Sequence, residues 1–154
     1  MLASDVALIA FEAAVEMRCS PERAFDFFAD HRNVARVLDG VSKWEPLDAK
    51  TRGVGARYAV EMVALGLPLK NVLRLNAWRR PKEIGWISES GLINQEGGFT
   101  FTELDGGAGV HVRLQIAYEP PGSFIGAAIA ERLDGVVRRR LQNALERIRD
   151  TLEA

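Results

Sequence analysis

From residue 9 to residue 18 apolar and polar side chains alternate. Ile9, Phe11, Ala13, Val15 and Met17 share one parity, and Glu12, Glu16 and Arg18 the other, which predicts a half-buried strand. Ser20-Pro21-Glu22-Arg23 then offers an N-cap, a proline at the first helical position and an acidic first turn, followed by apolar Ala24, Phe25, Phe27 and Phe28. A short helix is predicted there, and a second over residues 31–38, stopped by Asp39-Gly40, so that the pair forms a helical elbow. Strand patterns recur over residues 41–47, 55–64, 68–79, 83–90, 98–104 and 110–119, and the breaks between them carry turn residues such as Arg80-Pro81-Lys82 and Asp105-Gly106-Gly107. Consecutive strands with no helix between them predict an antiparallel meander, because parallel pairing needs crossovers of about a dozen residues. Pro120-Pro121-Gly122 ends the run and Ser123 can cap a last helix over residues 124–152, apolar at Ile125, Ile129, Leu133, Val137, Leu141, Leu145, Ile148 and Leu152.

The expected fold class is therefore α+β: a seven-stranded antiparallel sheet, two short helices after its first strand, and one long C-terminal helix to cover its apolar face. A twisted sheet that curls around a single helix touches it along a line, leaving space between sheet, helix and elbow. Parity assigns the concave side. It carries Tyr58, Val60 and Met62, then Asn71, Leu73 and Leu75, then Ile84, Trp86 and Ser88, with Phe99, Phe101, Val112, Leu114, Ile116 and Tyr118 beyond. Charged Arg57, Glu61, Lys70, Arg74, His111 and Arg113 fall on the opposite, solvated parity. A mostly apolar hollow with a few polar atoms is the usual description of a small-molecule site.

Composition narrows the alternatives. The 154 residues are 47% hydrophobic and 27% charged, within the range of one globular domain, expected to span residues 1–154. Twenty basic and 21 acidic residues leave a net charge of −1, which provides no field for nucleic acid or an anionic membrane. The single Cys19 makes no internal disulfide, and no Cys/His spacing suits a metal; a cytoplasmic protein without metal or cofactor is expected. Asp5 and Glu12 interrupt the N-terminal apolar stretch, so neither signal peptide nor membrane insertion is expected.

Several pieces together resemble a known family. Cys19-Ser20-Pro21-Glu22-Arg23-Ala24-Phe25-Asp26-Phe27-Phe28 after the first strand, Ile84-Gly85-Trp86-Ile87-Ser88 after Arg80-Pro81-Lys82, Gly98-Phe99-Thr100-Phe101, and the final strand leading through Glu119-Pro120-Pro121-Gly122 into the long helix occur in the order of the START-like helix-grip (SRPBCC) superfamily. The chain is similar to its polyketide cyclase/dehydrase and lipid-transport group, which has coenzyme Q-binding and ribosome-associating toxin relatives. The resemblance covers almost the whole chain. It implies a hydrophobic pocket for a lipid, isoprenoid or polyketide-like ligand, and in some relatives an aromatase or cyclase activity.

The candidate ligand contacts are Trp44, Tyr58, Met62, Asn71, Leu73, Trp86 and Ser88 on the earlier strands, Phe99, Phe101, Leu114 and Tyr118 on the later ones, and Leu133 and Val137 on the long helix. Asn71 is the sharpest, because a buried amide without a partner costs about 1–3 kcal/mol. It needs either a ligand or a bond to Tyr58 or water across a closed core. Trp44, Trp86, Phe99 and Phe101 form either an aromatic wall for a flat ligand or part of a filled core. Gly126 and Gly135 either thin the helix over the pocket or mark a break in it.

No nucleotide loop, nucleophile elbow or catalytic triad is present. His31 near the mouth, Glu89 with Glu96 in the connection before strand six, and Arg138-Arg139-Arg140 on the long helix are each read as either functional or solvated. Binding or transport of an apolar molecule is the leading expectation, because the concave parity carries no ionisable acid or base. A polyketide cyclase using Tyr58, Asn71, Ser88 and Tyr118 to orient carbonyls is the second. A ribosome-associating module working through the three arginines is the third.

Overall fold

A computed structural model of the chain describes residues 9–37, 41–64, 67–91, 94–119 and 127–154. Strand β1 (Ile9–Met17) leads through Ser20 into α1 (Pro21–Ala29). The Ser20 hydroxyl accepts from the Arg23 N–H at 3.2 Å, with Pro21 at the first helical position, as the sequence pattern predicts. Helix α2 (His31–Val37) follows directly. Asp30 joins the two, accepting from the Arg32 backbone N–H at 3.0 Å and from its guanidinium at 2.7 Å, and that guanidinium holds the Asp30 carboxyl far below the usual carboxylate range.

Strands β2 (Val41–Pro46), β3 (Arg57–Ala64), β4 (Leu67–Arg79), β5 (Glu83–Gly91), β6 (Gln95–Leu104) and β7 (Gly109–Tyr118) complete one antiparallel sheet in the order β1-β7-β6-β5-β4-β3-β2. It curls into a half-barrel. Helix α3 (Ala127–Glu153) is continuous through Gly135, so Asp134-Gly135 is not a break. Residues 38–40, 65–66, 92–93 and 120–126 lie outside the described residues, and with them the cap expected at Ser123 and the expectation for Gly126.

Two departures from simple alternation position the concave side chains. Between the pairs Leu75↔Trp86 and Ala77↔Gly85, β4 carries one extra residue, Asn76. That bulge reverses the parity of β4 and turns Trp78 inward beside Ile84, where alternation continued past Leu75 would place Ala77. On β5 the extra residue is Glu89, between Val72↔Ser90 and Leu73↔Ser88. Its carboxylate joins Arg57 at 3.0 Å and Arg74 at 3.2 Å, so Glu89 sits in an ion-pair cluster on β5 rather than in the connection before β6.

The end of the sheet at β1 has a free edge, which α3 covers. Leu141, Ala144, Leu145, Ile148 and Leu152 make its buried stripe and join one core with Met17, Phe25, Phe99, Val110, Val112 and Leu114. The Gln142 amide completes the edge: it donates to the Ala14 carbonyl at 2.9 Å and accepts from the Ala14 N–H at 3.2 Å, taking the place of a neighbouring strand. Gln142→Met keeps the volume and removes both bonds. It is expected to lower stability by about 1–2 kcal/mol, read as a reduced urea midpoint at unchanged slope.

Arg80, in the turn after β4, ties that turn to α1 through two bonds to Asp26 at 2.9 and 2.8 Å. These bonds hold the Asp26 carboxyl below its ordinary value. The stabilisation is present above the ordinary carboxylate range and is lost as pH falls through the depressed value. It is small, because both side chains are half exposed.

Candidate functional site

The antiparallel register aligns the inward side chains into rows that run across the sheet. Ala13, Leu114, Phe99, Ile84 and Trp78 form one row. Phe11, Ile116, Gly97, Trp86 and Leu75 form the next, and Gln95, Ser88, Leu73 and Tyr58 belong to the one beyond. The elbow closes the first of these rows. Phe28 stacks on Phe99 with ring centroids 4.4 Å apart, and Phe25 meets Trp78 at 5.2 Å and Phe101 at 5.5 Å in edge-on contacts. From there the aromatic surface continues: Phe99 meets Trp86 at 5.6 Å, Trp86 meets Trp44 at 5.9 Å, and Trp44 meets Tyr58 at 5.8 Å.

Trp44, Trp86, Phe99 and Phe101 thus form one buried aromatic cluster, with Tyr58 and two elbow phenylalanines added. At the elbow end it is a packed core. Between the elbow and the sheet, beside Ala29, His31, Val34, Trp44, Tyr58 and Trp86, a cavity of about 20 Å³ remains. Met62, Ile116 and Val137 are apolar side chains partly buried against the same core.

The polar groups sort differently from the sequence expectation. The Tyr58 hydroxyl donates to the Thr51 carbonyl, and burial raises its pKa, so it is a committed proton holder rather than a free donor. Ser88 accepts from the Gln95 N–H at 2.9 Å and is half-buried. Asn71 is 6% exposed and Gln95 5%; neither is without a partner. Leu73 and Leu114 are buried in the sheet core. The side chains of Tyr118 and Leu133 lie outside the described residues. Gly135 does not thin the helix over the pocket: at 100° per residue it sits roughly 130° around α3 from the buried stripe, and a Cβ there would meet nothing within 4 Å.

Two residues of the concave rows escape the sequence reading. Gln95 belongs to β6, which begins before Gly97-Gly98 rather than at Gly98. Gly97 itself is a contact: a Cβ there would lie 2.7 Å from the Gln115 carbonyl oxygen and 2.9 Å from Trp86 Cζ2, so the indole packs directly on the β6 backbone. A glycine inside a strand pattern is the signal that points to such a close approach. Trp86 is 3% exposed and its Nε1–H has no hydrogen-bond partner. An unsatisfied buried donor costs about 1–3 kcal/mol.

His31 is among the residues lining the small cavity, its ring 5.9 Å from that of Tyr58. On the convex side Arg113 pairs with Glu12 at 2.7 Å, and both border a hollow of about 700 Å³ together with Glu83, Thr100 and Gln115. Its lining is mixed: Glu96 and Arg138 belong to it with those groups, and so do Phe11, Ile84, Trp86, Phe99 and Ile116 of the apolar rows. Arg138, Arg139 and Arg140 are exposed on α3, with Arg138 in the field of Glu12. Among the described residues no group of three or more His, Cys, Asp or Glu side chains is placed to hold a metal ion, and no helix is long and apolar enough to cross a membrane.

Residues 9–153 match the family model described as polyketide cyclase/dehydrase and lipid transport. Among curated protein sequences none matches the chain. Solved structures share the fold at low identity. TTHA0849 from Thermus thermophilus aligns with a TM-score of 0.77 and 18% identity, over 93% of this chain and 96% of that one. A START superfamily protein from Mycobacterium smegmatis gives 0.75 and 16%, over 93% and 98%. DR_A0006 from Deinococcus radiodurans gives 0.71 and 20%, over 94% and 96%. The curled sheet gripping a C-terminal helix is the helix-grip fold of these neighbours.

Proposed function

The chain belongs to the polyketide cyclase/dehydrase and lipid transport family, and from that premise we propose that it binds or carries an apolar small molecule on the concave face, between the sheet, the elbow and α3. Residues 1–154 act in this reading as one domain, working in the cytoplasm. The observation that carries it is the apolar concave surface, against which Met62, Ile116 and Val137 are only partly buried. Covering about 200 Å² of apolar ligand surface there would return about 5 kcal/mol. Trp44, Leu73, Trp86, Phe99 and Leu114 form the wall, and Asn71, Gln95 and Ser88 are the polar atoms at its far end.

Binding is favoured over cyclisation by the buried polar side chains described on this face. Asn71 and Gln95 are neutral amides, which transfer no proton, and the Tyr58 hydroxyl is already given to the Thr51 carbonyl. Native mass spectrometry of the protein purified from cells tests the reading. An apolar compound retained under native conditions, released on denaturation and diminished in Met62→Arg is the expected result. Protein that carries no such compound and also takes up no added apolar probe would overturn it.

A further inference from the structure

We propose that the connection between β2 and β3, residues 47–56, docks the protein on an anionic lipid surface, with apolar Val54 and Leu47 among the headgroups and Lys50 and Arg52 on their phosphates. Four large apolar side chains stand exposed among the described residues, Leu47, Val54, Val63 and Val136, and the first two share this connection at 45% and 53% exposure. The loop that carries them is tied to the sheet. The Leu47 N–H donates to the Arg57 carbonyl at 3.0 Å, the Gly55 N–H to the Leu75 carbonyl at 2.9 Å and the Tyr58 hydroxyl to the Thr51 carbonyl. Gly53 and Gly55 take φ of 84° and 96°, a left-handed backbone that favours glycine, so the chain on either side of Val54 has a shape that other residues adopt only under strain.

The charges beside Val54 choose the occupant. A Cβ on Gly53 would lie 3.8 Å from Lys50 Cε and one on Gly55 4.0 Å from Lys50 Nζ, which places that ammonium against both neighbours of Val54. The acidic residues just before it are already paired, Glu45 with Lys43 at 3.7 Å and Asp48 with Arg57 at 3.6 Å. Lys50 and Arg52 are exposed and make no ion pair among the described residues. Apolar side chains flanked by unneutralised cations match anionic headgroups over hydrocarbon. A stable protein interface takes about 20–30 residues a side, whereas these groups are confined to one loop, around which a fluid bilayer can shape itself. The net charge of −1 gives the whole chain no attraction to such a surface, so docking depends on local groups.

Flotation of the full chain with vesicles of phosphatidylcholine alone, and with vesicles that also contain phosphatidylglycerol, tests the proposal. Binding to the mixed vesicles that weakens as salt is added is expected. Lys50→Gln and Arg52→Gln should each weaken it about fivefold, and Val54→Ser about fivefold to tenfold, while Val54→Phe should strengthen it. All three positions are exposed, so each variant should keep the wild-type melting temperature. Equal binding to both kinds of vesicle overturns the proposal. So does mixed-vesicle binding that survives in Val54→Ser and Lys50→Gln but is lost when Arg139 and Arg140 of α3 are both changed to Gln. Binding to neither vesicle overturns it as well, and is the result expected of a loop that meets a protein instead. Uptake of an apolar probe, 2-acetylnaphthalene, in the absence of vesicles should be the same in Val54→Ser as in the wild-type protein, so failure of the docking loop and failure of the concave site are told apart.

Discussion

Phe99→Ala is expected to cost about 3–5 kcal/mol, a large fraction of the stability of a domain this size. The side chain is 2% exposed and stands where every layer of the concave side meets. It stacks on Phe28 of the elbow at 4.4 Å and meets Trp86 of the next strand at 5.6 Å. On either side its strand neighbours are Ile84 and Leu114, both buried. No neighbour can collapse into the space, because each is held by its own strand or helix, so the cavity term adds to the lost transfer energy. Urea unfolding reads the loss directly, and Phe99→Leu should show well under half of it. A loss below about 1 kcal/mol in Phe99→Ala would mean that the elbow does not pack on the sheet as described.

Gly97→Val is expected to lower stability by about 3 kcal/mol, at the upper end of the cost of overpacking. The added Cβ meets a backbone oxygen of β7 at 2.7 Å and the Trp86 ring at 2.9 Å. The backbone oxygen cannot yield without breaking the β6–β7 ladder, and the ring can yield only by leaving its seat against Trp44 and Phe99. For a chain of this length the loss corresponds to a fall in melting temperature of about 6–12 °C. The indole signal of Trp86 should shift in the same variant even without ligand. An unchanged melting temperature with an unchanged indole signal would show that the ring does not rest on β6.

Much of this site was legible from alternation alone. Tyr58, Val60, Leu73, Trp86, Phe99, Val112 and Leu114 fall on the concave side by parity, and each is buried. Parity works while the ladder is regular, since each strand turns successive side chains to opposite faces. It fails at an inserted residue, which is why Trp78 was missed beyond the bulge at Asn76. Gln95 was missed because Gly97-Gly98 reads as the break before a strand, while here two glycines continue it at a close contact. The position of Gly135 depended on the phase of α3, fixed by Leu141, Ala144 and Leu145. Nothing in the pattern of residue types announces an unpaired donor such as Trp86 Nε1, because pairing is decided by where neighbouring atoms end up. The Gln142 clamp on Ala14 joins residues 128 positions apart, beyond any local signal.

The most direct test of the apolar site follows the methyl groups of the three methionines by NMR while 2-acetylnaphthalene is added. Met62 is partly buried against the core, and Met17 is 1% exposed within it. The account predicts a saturable shift of the Met62 methyl at the same probe concentrations that saturate the probe's own fluorescence, with Met17 barely moving. A probe that saturates while Met62 stays still, or one that never saturates, would contradict it.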